Sequence, residues 1–226
     1  MRKQAYLFDM DGVLVDNSRY HVLSWLEFAK QHGGKLTETQ VIEWMGAPGR
    51  DYIARMFDEP MPPDRVAALL AEKEEIYREL YRPKLEARKG LIGFLEGAKK
   101  ANIPCAVVTG GSAKNVDFVM DGLNIRKYFA CIVDASQYER GKPAPDCYLQ
   151  AAAKLGVEPR DCVVFEDAVN GIEAAIDAGM RVVAITGTNL HKTLEDAGPD
   201  KIVNSFDELW HLNEYALEDK LTLSLL

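Results

Sequence analysis

Long apolar runs, closely spaced cysteines, an excess of basic charge and internal repeats are all missing from this chain of 226 residues. No stretch approaches the ~20 consecutive apolar residues of a membrane-spanning helix, so no membrane partner is expected. The four cysteines, Cys105, Cys131, Cys147 and Cys162, are far apart. That spacing offers no close pairs for zinc, and in a reducing compartment such residues read as small buried apolar side chains. Basic side chains number 27 against 35 acidic ones, a net charge of −8. A nucleic-acid backbone selects for a basic face, so nucleic acid is not expected as a partner. A small anionic substrate remains open, because a divalent ion and a few local cations can reverse the field inside one pocket. Only Met1-Arg2-Lys3-Gln4 precede the first strand-like run, which leaves no room for a signal peptide; a cytoplasmic location is expected.

What is present falls into two textures. Residues 18 to about 83 read as purely helical. Val22, Trp25, Leu26 and Ala29 recur at helical spacing before Gly33-Gly34, and Thr37-x-x-Gln40 is a capping-box pattern. Gly46-Ala47-Pro48-Gly49 interrupts the pattern before a helical piece from Arg50 to Phe57. Pro60-Met61-Pro62-Pro63 then opens a long helix to Tyr81, with Val66, Leu69, Leu70, Ile76, Tyr77 and Leu80 expected on its buried face.

Elsewhere, short apolar runs at Ala5–Leu7, Cys105–Val108, Cys131–Val133, Cys162–Phe165, Val182–Ile185 and Ile202–Val203 alternate with helical segments. That alternation predicts an α/β fold, a doubly wound parallel sheet with helices on both faces. Residues 1–16 and 87–226 are expected to form this core, and residues 17–86 an inserted all-helical cap, hinged near Asp16-Asn17 and Pro83–Gly90 as a lid. The tail Glu218–Leu226 reads as a last helix or an oligomer contact, and a monomer or weak homo-oligomer is expected.

Polar clusters follow four of the strand-like runs. Asp9 and Asp11 stand two apart after Ala5–Leu7, with Gly12 behind them. Two carboxylates held that close are costly unless a cation or a proton is shared. A divalent metal would neutralise them and draw in a phosphate, so the pair predicts phosphoryl chemistry, with one carboxylate as nucleophile and the other as proton donor. Thr109-Gly110-Gly111-Ser112 offers a hydroxyl and open backbone N–H groups suited to a phosphate oxygen. Lys142, set between Gly141 and Pro143-Ala144-Pro145, can neutralise both a phosphate and an attacking carboxylate. Glu166-Asp167 adds hard oxygen ligands suited to Mg²⁺. A doubly wound sheet would gather these strand ends at one edge.

Together, Asp9-x-Asp11-Gly12-x-x-x-Asp16, Thr109, Lys142 in Gly-Lys-Pro-x-Pro, and Glu166-Asp167-x-x-Asn170-Gly171 resemble the motifs of the haloacid dehalogenase superfamily. The resemblance is to its helical-cap branch, which includes β-phosphoglucomutase and sugar-phosphate phosphatases, and it covers essentially the whole chain. It implies that Asp9 is the nucleophile, that Asp11 is the general acid and base, and that Thr109 and Lys142 hold the phosphoryl group. It also implies that Asp9, the Asp11 backbone carbonyl, and Glu166 or Asp167 bind Mg²⁺. The namesake dehalogenases lack the second aspartate, and phosphonate-cleaving relatives use a cap lysine absent from Met45–Arg50.

Within the expected cap, His21 and Trp25 match positions used by β-phosphoglucomutases, and Arg50, after the loop containing Gly46, resembles the cap arginine that grips a substrate's second anionic group. With Gly110, Gly111 and Ser112 these are the expected substrate-binding residues. Met45 stands where those mutases carry a lysine, which weakens a grip on a bisphosphate at both ends. The expected activity is therefore a Mg²⁺-dependent phosphatase acting on a small phosphorylated metabolite, a sugar phosphate in particular, through an aspartyl-phosphate. β-Phosphoglucomutase is the first alternative, and a non-catalytic phosphate-binding regulatory protein is the alternative from another class.

Overall fold

The computed structural model describes residues 4–44, 47–57 and 60–217. The chain divides into two compact units, one formed by residues up to Asp16 together with those from Glu86 onward, the other by Asn17–Leu85. In chain order the elements are β1 (Ala5–Phe8), α1 (Ser18–Gln31), α2 (Glu38–Glu43), α3 (Gly49–Met56), α4 (Pro63–Tyr81), α5 (Leu91–Lys100), β2 (Cys105–Val108) and α6 (Ala113–Gly122). They continue with β3 (Cys131–Val133), α7 (Asp146–Leu155), β4 (Cys162–Glu166), α8 (Val169–Asp177), β5 (Arg181–Ile185), α9 (His191–Asp196), β6 (Lys201–Val203) and α10 (Trp210–Leu217).

In the first unit, all six strands pair in parallel in the order β3-β2-β1-β4-β5-β6. The order reverses beside β1, whose neighbours β2 and β4 lead to helices on opposite sides, and such a switch point opens a crevice at the strands' C-terminal ends. β1, β2 and β4 are buried along their whole length, as parallel strands covered on both faces must be. The two-residue side-chain period sorts their residues. Ala5, Leu7, Ala106, Val108, Cys162 and Val164 pack with residues of α7 and α8. Tyr6, Phe8 and Phe165 form an aromatic cluster with Phe94 of α5 and Phe206. The cross-strand pair Phe8 and Phe165 is stacked at 4.6 Å. The register of this pair fixes which residues emerge together beyond the sheet: Asp9 follows Phe8, and Glu166 follows Phe165.

The second unit packs α1, α2, α3 and α4 around Val22, Trp25, Phe28, Val41, Tyr52, Ile53, Leu69 and Ile76. The capping box forms as expected, with the Gln40 amide donating to Thr37 Oγ1 at 3.3 Å and the Thr37 amide donating to Gln40 Oε1 at 2.9 Å. On α4 the buried stripe is Leu69, Lys73, Ile76, Tyr77 and Tyr81, and Leu80 faces outward. The apolar pattern misplaces Leu80 because Tyr81, one residue and about 100° further round the helix, takes the inward position. Lys73 replaces an apolar residue there, its stem covered by rings and its ammonium over Trp25 at 5.1 Å. α9 escapes the sequence pattern, since it is six residues long with one buried apolar side chain, Leu194. The segment after β6 begins as a 3₁₀ turn, Phe206–Leu209, before α10.

The four thiols are free; Cys105, Cys147 and Cys162 are buried, and Cys131 is partly so. Among the described residues no helix is long and apolar enough to cross a membrane. The expected tail helix, Glu218–Leu226, lies outside the described residues.

Candidate active site

The site starts from Asp9, whose amide donates to the Phe165 carbonyl at 3.0 Å and so stays locked to the end of β4. Its carboxylate is almost wholly buried. Burial raises its pKa well above the ordinary value, with Glu166, Asp167 and Asp11 adding to the rise and Lys142 opposing it. Lys142 Nζ lies 2.5 Å from Asp9 Oδ1 and 2.6 Å from Glu166 Oε1, and donates to the Val108 carbonyl at 3.3 Å. One ammonium thus ties together the ends of β1, β2 and β4. Burial works against the charge on Lys142, but the Asp9 and Glu166 carboxylates outweigh it and hold its pKa well above the usual lysine value.

Glu166 is saturated with donors. Besides Lys142, its Oε1 accepts from the Tyr148 hydroxyl at 2.7 Å, while Oε2 accepts from the amides of Asp167 at 2.9 Å and Ala168 at 3.2 Å. Tyr148, in the first turn of α7, also places its ring under the Lys142 ammonium at 4.9 Å. Gly171 leaves the space the carboxylate fills: a Cβ there would lie 1.8 Å from Glu166 Oε1.

Asp167 points the other way, over Gly12. A Cβ on Gly12, which has φ +79°, would meet Asp167 Oδ2 at 1.9 Å and Thr188 Oγ1 at 2.8 Å. Burial, reinforced by Glu166 and Asp11, raises the Asp167 pKa to about 7, against a hydrogen bond from Thr188 and the charge of Lys142. Asp11 lies on the side of the Thr109 loop, with its Oδ2 3.6 Å from where a Gly111 Cβ would be. In that loop the buried Thr109 hydroxyl accepts from the Gly111 amide at 2.9 Å, which leaves its proton available to an incoming oxygen. Tyr138 donates to the Thr109 carbonyl at 3.1 Å. Gly110 is exposed, and Ser112 caps α6 by accepting from the Asn115 amide.

Asp9, Asp11, Thr109, Gly111, Lys142, Glu166 and Asp167 therefore converge at one edge of the sheet, where four carboxylates face a single lysine. The arrangement favours an added cation. Among the described residues no three His, Cys, Asp or Glu side chains stand together as a ready metal cluster. Both Glu166 oxygens already accept hydrogen bonds, so Asp9 and Asp167 are the candidate side-chain ligands. That set fits a hard ion completed by a backbone carbonyl, substrate and water oxygens.

The expected substrate-binding residues of the helical unit are more varied. His21 stacks on Tyr77 at 4.0 Å, and its Nδ1 lies 3.1 Å from Lys73 Nζ. Asn17, fully buried, donates to the Tyr77 hydroxyl at 2.6 Å. Trp25 is stacked on Tyr52 at 4.5 Å within the unit's core, so its bulk is engaged in packing. Arg50 is exposed in the first turn of α3, beside Asp51. Gly46 lies outside the described residues.

Sequence reasoning missed Tyr148, Thr188, Asn189 and Lys73. Thr186-Gly187-Thr188-Asn189 follows an apolar strand just as Thr109-Gly110-Gly111-Ser112 does, and that shared signal could have revealed it. Tyr148 and Lys73 carry no such signal, because Tyr148 sits at an inward helix position where a buried aromatic is expected anyway, and a lysine such as Lys73 reads as solvent-facing.

Residues 6–185 match the family model described as haloacid dehalogenase-like hydrolase. Hexitol phosphatase A of Escherichia coli is 31% identical over 92% of this chain and 94% of its own length. A haloacid dehalogenase-type hydrolase of family IA from Entamoeba histolytica is 28% identical, covering 98% of this chain and 99% of that one with a TM-score of 0.87. A β-phosphoglucomutase from Clostridium difficile, 24% identical over 96% of this chain and 98% of that one, shares the fold with a TM-score of 0.80. With strand order, strand-end residues and helical insert all in place, the chain belongs to the haloacid dehalogenase-like hydrolases.

Proposed function

We propose that the protein is a Mg²⁺-dependent phosphatase that hydrolyses a small phosphorylated metabolite, a sugar phosphate in particular, through an aspartyl-phosphate on Asp9. The observation that carries this reading is the Lys142 ammonium held between Asp9 and Glu166 at the ends of β1 and β4. A carboxylate can approach an anionic phosphorus only if the repulsion between them is cancelled. Lys142 is placed for that task at the nucleophile itself, and Tyr148 and Glu166 keep it there. Bound Mg²⁺, held by Asp9, the Asp11 carbonyl and Asp167, would supply further neutralising charge to the phosphoryl oxygens.

Asp9 attacks phosphorus, and the bond to the leaving oxygen breaks. Thr109 gives a hydrogen bond from its hydroxyl to one phosphoryl oxygen, and the Gly110 amide can bind another, while the Gly111 amide stays on Thr109 Oγ1. Asp11, protonated, gives its proton to the leaving alkoxide; as a carboxylate it then takes a proton from the water that attacks the aspartyl-phosphate. Phosphate leaves and Asp9 is regenerated. The substrate class draws support from the similarity to hexitol phosphatase A. In the helical unit, Arg50, exposed on α3, is the candidate for contact with the rest of the substrate.

The test is release of inorganic phosphate from a panel of sugar and other small phosphoesters with MgCl₂. No release from any of them would end the hydrolase reading. With β-glucose 1-phosphate and a bisphosphate primer, glucose 6-phosphate formed faster than free phosphate would show a mutase instead.

A further inference from the structure

The loop that follows β5 touches Asp167 twice. Thr188 gives its carboxylate a hydrogen bond, and the neighbouring Asn189 side chain donates to the Asp167 backbone carbonyl at 2.9 Å. These contacts matter because of what else surrounds Asp167. Its carboxylate is buried against the Gly12 backbone, with Glu166 and Asp11 both repelling it. The final torsion of an aspartate is broad and sets no orientation by itself. The orientation must come from a donor, and Thr188 is one, its Oγ1 lying over the same Gly12 position as the carboxylate oxygen.

The loop itself is anchored. Arg88, largely buried, donates to the Thr186 carbonyl and pairs with Asp16 at 3.0 Å. Gly187 makes this possible, since a Cβ there would lie 2.8 Å from an Arg88 guanidinium nitrogen, and its φ of +146° suits glycine. A chain of contacts therefore runs from Arg88 through Thr186 and Gly187 to Thr188 and Asn189, and ends on Asp167.

We propose that Thr188 is a positioning residue for Asp167, fixing its carboxylate for Mg²⁺ on a loop that Asn189 and Arg88 hold in place. The inference rests on the reading above in which Asp167 is a metal ligand. Hydrogen-bond partners of metal ligands typically contribute about 10- to 100-fold to metal affinity. Thr188 is replaceable by valine at nearly the same volume, and its loop is partly exposed.

The experiment titrates MgCl₂ into the full chain by calorimetry and measures activity against Mg²⁺ concentration for wild type, Thr188→Val, Thr188→Ser and Arg88→Met. Thr188→Val should weaken Mg²⁺ binding about 10- to 100-fold and raise the Mg²⁺ concentration for half-maximal activity equally, with kcat at saturating Mg²⁺ close to wild type. Thr188→Ser, which keeps the hydroxyl, should restore binding, and Arg88→Met should weaken it by freeing the loop. Wild-type Mg²⁺ affinity in Thr188→Val would overturn the proposal while leaving the phosphatase reading intact. A loss as large in Thr188→Ser would also overturn it, because the hydroxyl would then not be the cause. A wild-type protein that binds no Mg²⁺ would overturn both.

Discussion

Gly171→Ala is predicted to act against the usual sign of a glycine-to-alanine change. In a helix interior, alanine is ordinarily favoured by roughly 1 kcal/mol. Gly171 lies in α8, and its φ is not positive, so backbone geometry raises no objection. The objection is Glu166: the new Cβ would sit 1.8 Å from Oε1 and 2.0 Å from Cδ, so the carboxylate must retreat by about an ångström. It has nowhere neutral to go, being 1% exposed and bonded to Lys142, Tyr148 and two backbone amides. Hydrogen bonds to charged groups contribute about 1.5–3 kcal/mol each. Loss of two of the four outweighs the helix gain and leaves a net destabilisation of about 2–5 kcal/mol. At roughly 2–4 °C per kcal/mol for a chain of this size, Tm should fall by about 4–20 °C. Phosphatase kcat should fall as well, because Lys142 loses the partner that orients it. Thermal unfolding followed by circular dichroism, with activity measured beside it, checks both. An unchanged or raised Tm would refute the packing argument.

Tyr148→Phe removes one donor from Glu166 and keeps the ring beneath Lys142, so a stability loss of about 1–3 kcal/mol is expected in chemical denaturation. Asp11→Asn should lower kcat by about 10²- to 10⁴-fold, the usual contribution of general acid–base catalysis, and a near-normal rate would remove Asp11 from that role. Metal-free protein should lose stability as pH rises toward the Asp167 pKa of about 7. The folded state holds a proton there that the unfolded chain has already released above its ordinary carboxylate pKa, so stability falls with pH across that window. Asp167→Asn should flatten this dependence, and Mg²⁺ binding near pH 6 should release a proton, seen as a buffer-dependent heat in calorimetry. Equal heats in all buffers would contradict the assignment of Asp167 as the ligand that ionises.

The core was legible because parallel strands buried on both faces write continuous apolar runs, and each run of this kind became a strand. The candidate site residues could be picked out because Asp9, Thr109 and Glu166 follow such runs directly, where polar side chains have no packing reason to be. The supporting residues obey no such rule. Tyr148 reads as one more aromatic on an amphipathic helix until β4 brings Glu166 to its hydroxyl. Lys73 breaks the apolar stripe of α4, and a pattern reader turns it outward; Trp25, Tyr77 and His21 hold it in. For Trp25, helical spacing cannot separate a ring that packs, as this one does on Tyr52, from one open to a ligand. Gly171 and Gly12 read as helix and turn residues, and only the structure shows that each leaves room for a carboxylate.

The central claim is that Asp9 becomes phosphorylated, with Lys142 placed to permit it. The most direct measurement is acid-quenched labelling with a radiolabelled phosphoester in the presence of Mg²⁺, followed by peptide mapping. Label confined to the peptide that carries Asp9, and absent in Asp9→Asn, is the predicted result; label that survives in Asp9→Asn, or that maps to another residue, would contradict it.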